Sequence, residues 1–257
     1  MASYDATVLT KTPLFYYKFQ EAALATTAVD SSGHGYDATV AGGSVMPTWQ
    51  AAGPTINGTA MKSGDFDGAT HAVFSNDAAV IAAFNAVRAT TWSFSCWVYN
   101  GFTGSGWDSL LGTSFNGLWL AINGTTADAD DNVGAAKQGV AFAVTSRPGI
   151  PANTWKHICI TRNSATWACY VNGVDVSFAG TDQAVALAAS GLIIGSGYDG
   201  THDYYLGRLA YAAFFETTLS AGDVLAQYNA SQSIPDAPVG GNSAQMAQIL
   251  ATLKRRR

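Results

Sequence analysis

The sequence predicts an all-β protein, a two-sheet antiparallel sandwich of the jelly-roll kind that carries a helical tail at its C-terminus. Short strand-like runs recur at regular spacing with turn-forming residues between them, and helical periodicity is scarce in the 257 residues. The clearest run is residues 155–174, where alternating side chains and turns at Asn163-Ser164 and Asn172-Gly173 indicate two consecutive hairpins. Consecutive hairpins with no helix between them are typical of an antiparallel sheet.

The patterns divide most of the chain into an arm and a body. Residues 1–13 are mostly small and polar, which predicts an N-terminal arm, and residues 14–232 carry the strand-like runs of the sandwich. The first strand is expected over residues 14–19, where LFYYKF is largely aromatic. Residues 42–57 contain two prolines and predict a loop, in which Trp49 is expected to be exposed.

The middle of the chain contains one helical pattern and then the strongest strand pattern. Residues 78–87, AAVIAAFNAV, have the spacing of a short helix that covers a sheet edge. Residues 92–99, WSFSCWVY, alternate so that every second side chain from Trp92 to Val98 points to one face. Further strands are expected over residues 110–112, 118–123, 140–145, 192–195 and 207–215.

Two helices are predicted towards the C-terminus, with a linker between them. Residues 219–228 have helical spacing, and Ser220 is a suitable N-cap. Residues 233–242 are rich in proline and glycine, which indicates the linker. Residues 243–257 then predict an amphipathic helix with an apolar stripe formed by Met246, Ile249, Leu250 and Leu253.

The stripe on residues 243–257 is narrow, and a helix of this length is marginal in water without a partner. We therefore expect this segment to anchor the domain to other virion or surface proteins, or to associate with copies of itself. A homo-oligomer follows from the second case, with a trimer as one form.

Composition excludes several classes of partner. Charged residues make up 12% of the chain and the net charge is −5. Because residues 254–257 hold four of the thirteen basic side chains, the body is more acidic than the total and should repel nucleic acid and anionic membranes. The N-terminus lacks a signal-peptide pattern, which favours synthesis in a host cytoplasm, and no apolar run is long enough for a membrane span. A surface poor in charge is common on secreted lectin-like modules and on virion proteins.

Three cysteines occur in apolar, strand-like runs, and an odd number argues against a complete disulfide framework. Cys159 and Cys169 flank the first hairpin turn, so a cross-strand bridge between them stays open as an alternative. The favoured interpretation is that Cys96, Cys159 and Cys169 are small buried apolar residues.

The order of these motifs resembles the laminin-G-like, concanavalin A-like lectin and glucanase domains. The resemblance covers about residues 14–230 and rests on YYKF, DSSGHGYDATV, WSFSCWVY, WKHICITRNSATWACYVNGV and YLGRLAYAAFF in that order. The central hairpin looks like the family's Trp-x-His-x-x-x-Thr strand, here Trp155, His157 and Thr161, followed by Tyr-Val-Asn-Gly. The resemblance implies a two-sheet jelly roll that binds glycans or proteins, with His157 as a packed structural residue.

The resemblance also bears on calcium. In many relatives the Asp of an Ile-Asp-Glu segment helps to hold a structural calcium, and Ala210 and Tyr211 stand at the two acidic places here. The loop from Asp30 to Asp37 resembles the family's other calcium-side element and keeps its carboxylates, which makes these two residues weak candidate ligands. Since calcium takes six to eight oxygens, the site is in doubt, and no other cofactor is expected.

Catalysis is not expected. Glucanases with this fold use paired Glu residues on one strand, because a retaining mechanism needs two carboxyl groups about 5 Å apart. This chain has two Glu residues, Glu21 and Glu216, far apart in sequence. Asp pairs occur at residues 65 and 67 and at 128 and 130, but in turn-like settings where solvation of a loop is the better interpretation. The four histidines show no metal-ligand spacing.

Two aromatic, glycine-rich loops, residues 101–107 and 195–205, are the candidate binding surface. Aromatic faces stack on sugar rings, and carboxylates accept hydroxyl protons. The alternative is that these side chains contact a neighbouring subunit or merely close the sandwich. The candidate residues are Trp107, Tyr198, Asp199, His202, Asp203 and Tyr204.

These observations favour a non-enzymatic structural and adhesive module on a particle surface. The expected setting is a bacteriophage virion, as a capsid decoration, head-fibre or tail protein held by its C-terminal tail. The alternative is a carbohydrate-binding lectin domain of a bacterial surface or exported protein.

Overall fold

A computed structural model describes residues 3–40, 47–101, 106–113, 117–124, 132–137, 142–146, 149–179, 188–197 and 200–232. Within these residues two antiparallel sheets face each other across one core, so the predicted all-β jelly-roll sandwich is confirmed. The helical tail predicted over residues 243–257 lies outside the described residues. None of the helices in the described ranges has the length and apolar character needed to span a membrane.

The described strands are numbered in chain order. The N-terminal ones are β1 (Phe15–Tyr17), β2 (Thr27–Ala28), β3 (Ala38–Thr39), β4 (Thr48–Ile56), β5 (Thr59–Asp67), β6 (Val73–Ser75), β7 (Thr91–Asn100), β8 (Gly106–Gly112) and β9 (Leu118–Gly124). The later ones are β10 (Asn132–Lys137), β11 (Phe142–Ser146), β12 (Trp155–Asn163), β13 (Thr166–Val171), β14 (Val174–Asp175), β15 (Ser177–Ala179), β16 (Leu192–Ile194) and β17 (Leu206–Phe215). The helices are α1 (Tyr4–Leu9), α2 (Ala78–Val87) and α3 (Ala221–Ser231).

The two sheets differ in what covers their outer faces. In the described residues one sheet has the strand order β14-β13-β12-β7-β17-β5-β4, with β1 paired to β17, and we call it the helix-covered sheet because α1 and α3 pack on it. The other has the order β15-β11-β10-β9-β8-β16-β6-β3-β2, and we call it the loop-covered sheet because Gly200 and Tyr204 of the loop after β16 lie against Phe74 on it. The outer face of one sheet is therefore covered by helices, and the outer face of the other by a loop.

The predicted alternation in β7 and β12 is confirmed. Side chains from Trp92 to Val98 at every second position point into the core between the sheets and are fully buried. β12 lies antiparallel to β7, with Ile158 facing inwards and His157 facing the helices. The hairpins that follow, β12-β13 and β13-β14, form the meander that the sequence predicts.

The cross-strand disulfide is excluded by the register of the first hairpin. Cys159 pairs with Tyr170, and Cys169 pairs with Ile160, so the two cysteines are one position out of register. A shift of one residue places side chains on opposite faces of a sheet. All three cysteines are free and buried, as the favoured interpretation holds.

The N-terminal segment is a helix where the sequence predicts an arm. The Ser3 hydroxyl accepts the N–H of Ala6 at 3.2 Å and caps α1. Tyr4 and Val8, four positions apart, share one face of this helix and are 1% exposed against the helix-covered sheet. Burial of these two side chains, together with the bonds that the Asp5 carboxylate accepts from the Tyr16 hydroxyl at 2.8 Å and from Lys18 at 3.2 Å, docks this mostly polar segment on the sheet.

Residues 48–56 form a strand where the sequence predicts a loop. Trp49 is only 4% exposed, and its ring stacks on Phe19 with the ring centres 5.8 Å apart. Its indole N–H donates to the Ala25 carbonyl at 2.7 Å. Pro54 is tolerated because β4 is an edge strand whose pairing with β5 is irregular, and an edge strand has one side that needs no ladder bonds.

The predicted helices over residues 78–87 and 219–228 are confirmed. Asp77 caps α2 through the Ala79 N–H at 2.7 Å. Ser220 caps α3 in a reciprocal capping box with Asp223. Asp223 also forms an ion pair with Lys11 at 2.6 Å, which ties the segment after α1 to the start of α3.

Candidate functional site

Two tryptophans lie side by side on the outer face of the loop-covered sheet. Trp107 in β8 is 39% exposed, and its ring centre is 4.9 Å from that of Trp119 in β9. The Trp119 indole N–H donates to the Ser109 hydroxyl at 2.6 Å, which fixes the second ring. We call the three residues Trp107, Trp119 and Ser109 the Trp107 platform.

The loop of residues 200–205 is bonded to the same strand as the Trp107 platform. The Asp203 carbonyl accepts the Ser109 N–H at 3.0 Å, and the Asp108 carboxylate accepts the Leu206 N–H at 3.2 Å. The His202 carbonyl accepts the Gly197 N–H at 2.8 Å and so closes the loop on itself. The backbone of Asp203 is thus bonded to the strand that carries Trp107, and His202 is its neighbour in the same loop.

The other predicted binding residues have different places. Tyr204 packs with Phe74 and Ile193 on the sheet, and its hydroxyl donates to the Gly200 carbonyl at 2.6 Å, so it supports the loop. Tyr198 and Asp199 lie outside the described residues. Trp119 is the member that the sequence analysis missed, because β9 has the alternation of an ordinary sheet strand.

The loop can lie flat on the sheet because Gly200 has no side chain. Its φ is +74°, and a Cβ there would be 2.2 Å from the Phe74 ring. Both the left-handed backbone and the contact favour glycine. The placement of His202 and Asp203 thus depends on this residue.

A separate hollow opens on the other side of the molecule, on the outer face of the helix-covered sheet. Its volume is about 360 Å³, and β4, β7, β12, the β13-β14 turn and α3 all border it. The sequence predicts a packed structural role for His157 in the β12 hairpin and gives no sign of a site there. The side chains that matter most are Thr55, Trp97, Trp155, Asn172, Tyr228 and Gln232.

Residues 74–225 match the family model of the concanavalin A-like lectin/glucanases superfamily, which is more than half of the chain. The chain belongs to this superfamily. No curated protein matches it in sequence.

Solved structures of low sequence identity share the fold of this superfamily member. Domain 4 of AbnA, a GH43 extracellular arabinanase from Geobacillus stearothermophilus in complex with arabinotriose, is 18% identical with a TM-score of 0.62, over 86% of this chain and 98% of that one. The Trypanosoma rangeli sialidase in complex with the inhibitor DANA is 14% identical with a TM-score of 0.55, over 84% of this chain. The match covers 32% of the sialidase chain, so this protein spans about a third of it.

In this superfamily member the calcium candidates hold a loop together. The Asp30 carboxylate accepts three backbone N–H groups, from Tyr16, Ser32 and Tyr36, at 2.9 to 3.1 Å, and the Ser32 hydroxyl at 2.6 Å. Asp37 accepts the N–H of Asp30 at 2.8 Å. Within the described ranges no three His, Cys, Asp or Glu side chains are grouped to hold a metal ion. These residues do not fit a calcium site of six to eight oxygens.

The Asp pair at residues 65 and 67 is likewise structural. Asp65 pairs with Arg208 at 3.3 Å. Asp67 accepts the N–H groups of Ala69, Thr70 and His71 at 2.8 to 3.0 Å, which caps the turn after β5. Residues 128 and 130, the other Asp pair, lie outside the described residues.

His157 is a packed residue, as the resemblance implies. Its Nε2 is 3.1 Å from the Ser95 hydroxyl, which itself donates to the Gln227 side chain at 3.2 Å. Because the hydroxyl hydrogen goes to Gln227, the proton of the neutral imidazole is assigned to Nε2. Burial lowers the pKa of His157 to about 3, so the ring is neutral over the physiological range.

Proposed function

We propose that the protein is a non-enzymatic carbohydrate-binding module that attaches a larger particle or surface to glycans. The observation that carries the proposal is the Trp107 platform, where an indole ring is exposed and held in place by a second indole. A rigid, exposed aromatic face loses little entropy when a sugar ring stacks on it. A platform of this kind needs no deep pocket.

The surroundings of the Trp107 platform support a sugar as the ligand. The loop that carries His202 and Asp203 is bonded to Ser109 through the Asp203 carbonyl, so two residues with hydrogen-bonding side chains belong to the loop next to the aromatic strand. The arabinanase domain of the same fold carries arabinotriose, which favours an oligosaccharide in this chain as well. A non-catalytic role fits the structural use of Asp30, Asp65 and Asp67.

The test is glycan binding by the full chain and its variants. We expect the wild type to bind arabinotriose or members of a glycan array, and Trp107→Ala to lose about tenfold or more in affinity, or about 1.4 kcal/mol. Trp107→Phe should recover part of the loss because it restores an aromatic face. The matched control is Phe178→Ala, which removes an exposed aromatic residue from the edge strand β15. Binding that survives Trp107→Ala unchanged would reject the Trp107 platform as the site.

The second proposal concerns the particle itself, a bacteriophage virion in which the module is a structural and adhesive component. The low charged fraction of 12% and the apolar stripe of residues 243–257 support it. Removing residues 233–257 should abolish incorporation into particles and leave a domain with an unchanged β-sheet circular dichroism spectrum. If the truncated chain is incorporated as well as the full chain, the tail is not the anchor. If purified particles lack the protein, the setting is instead a bacterial surface or exported lectin.

A further inference from the structure

We infer that the hollow on the helix-covered sheet is a second binding site, for a neutral saccharide of one or two rings. It lies on the opposite outer face from the Trp107 platform, so a ligand there is independent of the proposed glycan site. Its volume of about 360 Å³ is at the lower end of the range for ligand pockets.

The walls of the hollow are aromatic rings that neighbouring side chains hold in place. Trp155 packs against Tyr99 with ring centres 5.5 Å apart, and Arg208 lies over the Tyr99 ring at 5.0 Å. Trp97 lies 6.2 Å from Tyr228 with the ring planes 33° apart. Aromatic walls fixed before binding offer apolar faces to the C–H side of a sugar ring at little entropic cost.

The polar groups of the hollow are positioned with hydrogen-bonding capacity left over. The Oδ1 of Asn172 accepts the backbone N–H of His157 at 2.9 Å, and the backbone N–H of Asn172 donates to the His157 carbonyl at 2.7 Å. This pairing fixes the carboxamide, and its Nδ2 has no acceptor within the described part of the chain. The hydroxyls of Thr55 and Tyr228 likewise have no acceptor within the described part of the chain. Gln232 donates through Nε2 to the Ser231 hydroxyl at 2.8 Å, and its Oε1 remains available as an acceptor.

The composition of the lining selects the class of ligand. Every residue that lines the hollow within the described ranges is uncharged, and Arg208 behind Tyr99 is paired with Asp65 at 3.3 Å, so the lining offers no cation to a carboxylate or a phosphate. A hydrocarbon would leave the hydroxyl and amide groups unpaired, which costs free energy once they are buried. A neutral sugar satisfies both requirements, because it presents C–H groups on its faces and hydroxyls at its edges.

The experiment measures binding of maltose, cellobiose, lactose and N,N′-diacetylchitobiose to the full chain by saturation-transfer NMR and calorimetry. We expect saturable binding of at least one of them with a Kd on the order of 1 mM. Sialic acid and glucuronic acid serve as charged probes and should bind at least tenfold more weakly. Trp155→Ala should abolish the binding of the neutral sugar.

Asn172→Asp is the sharpest variant. It keeps an oxygen to accept the His157 N–H and tolerates the φ of +52° at this position, but it loses the two amide donors. We expect a loss of about tenfold or more in affinity with an unchanged melting temperature. Tyr228→Phe, which removes one hydroxyl, should weaken binding severalfold and serves as the least disruptive check.

The matched control is Phe178→Ala, which removes an exposed aromatic residue from the loop-covered sheet and should not change this affinity. The inference is overturned if none of the four disaccharides binds saturably. It is also overturned if binding survives Trp155→Ala, or if Trp107→Ala removes it. The proposed function fails on a different result, which is that Trp107→Ala leaves glycan-array binding unchanged. The two proposals can therefore be rejected separately.

Discussion

Acidification from pH 7 to pH 5 is expected to destabilise the protein through His157, and His157→Gln should remove that effect. The imidazole lies under α3 with no exposed surface and is bonded to Ser95 as a neutral donor. Glutamine is the matched replacement, because its amide can donate to the same hydroxyl but does not titrate. The perturbation therefore isolates one proton.

The sign follows from the pKa of His157 in the two states. Burial lowers it to about 3 in the folded protein, against about 6.5 in the unfolded chain. As the pH falls below the unfolded value, the unfolded state binds the proton first, so stability is lost from about pH 6.5 downwards until the folded pKa is reached. The slope is about 1.4 kcal/mol per pH unit, which gives a loss of about 2 kcal/mol between pH 7 and pH 5.

Urea denaturation followed by tryptophan fluorescence at the two pH values measures this loss. His157→Gln should be less stable than the wild type at pH 7, by about 1–3 kcal/mol, because the ring is tightly packed. Between pH 7 and pH 5 its free energy of unfolding should fall by about 2 kcal/mol less than that of the wild type. Carboxylates titrate in both proteins and cancel in the comparison. Equal pH dependence in the two proteins would refute a neutral, buried His157.

Three further outcomes follow from particular residues. Burial raises the pKa of the Cys169 thiol to about 12, and all three cysteines are buried and free. Ellman's reagent should therefore leave the thiols of the native protein unlabelled and label all three in urea. Fast labelling of the native protein would contradict the burial of the thiols. Gly200→Ala should lower the free energy of unfolding by about 1–3 kcal/mol and weaken binding at the Trp107 platform, because the loop must move off Phe74. Asp30→Ala should cost about 2–4 kcal/mol by leaving three amide groups unpaired. EDTA should not change the melting temperature of the wild type, and a fall would mean that a metal ion contributes to stability.

Strands with strict alternation were predictable from the sequence, and those with interruptions were not. β7 and β12 carry unbroken period-two patterns, and the capping residues of α2 and α3 mark where those helices begin. β4 was predicted as a loop because Gly53 and Pro54 interrupt its strand pattern. Both residues are tolerated there because β4 lies at the edge of the sheet. α1 was not predicted because only two of its side chains, Tyr4 and Val8, are buried, and neither stands out within a polar segment.

Candidate site residues were predictable from the sequence only where they belong to an aromatic, glycine-rich loop. Trp107 follows a glycine-rich loop and was found, whereas Trp119 becomes its neighbour through the pairing of β8 with β9. That pairing shifts register after Ser109, and sequence alternation carries no information on such shifts. Trp155 was not identified as a site residue, because alternation shows which residues share a face of a strand but not which outer face of a sandwich remains open.

The ion pair between Lys11 and Asp223 has a consequence for orientation. It joins the segment after α1 to the start of α3, so both helices are docked on the same side of the sandwich. Ser3, which caps α1, and Gln232, which follows α3, therefore lie on the side of the sandwich opposite the Trp107 platform. Immobilising the domain through that side would present Trp107 outwards and leave the hollow beside Tyr228 facing the support.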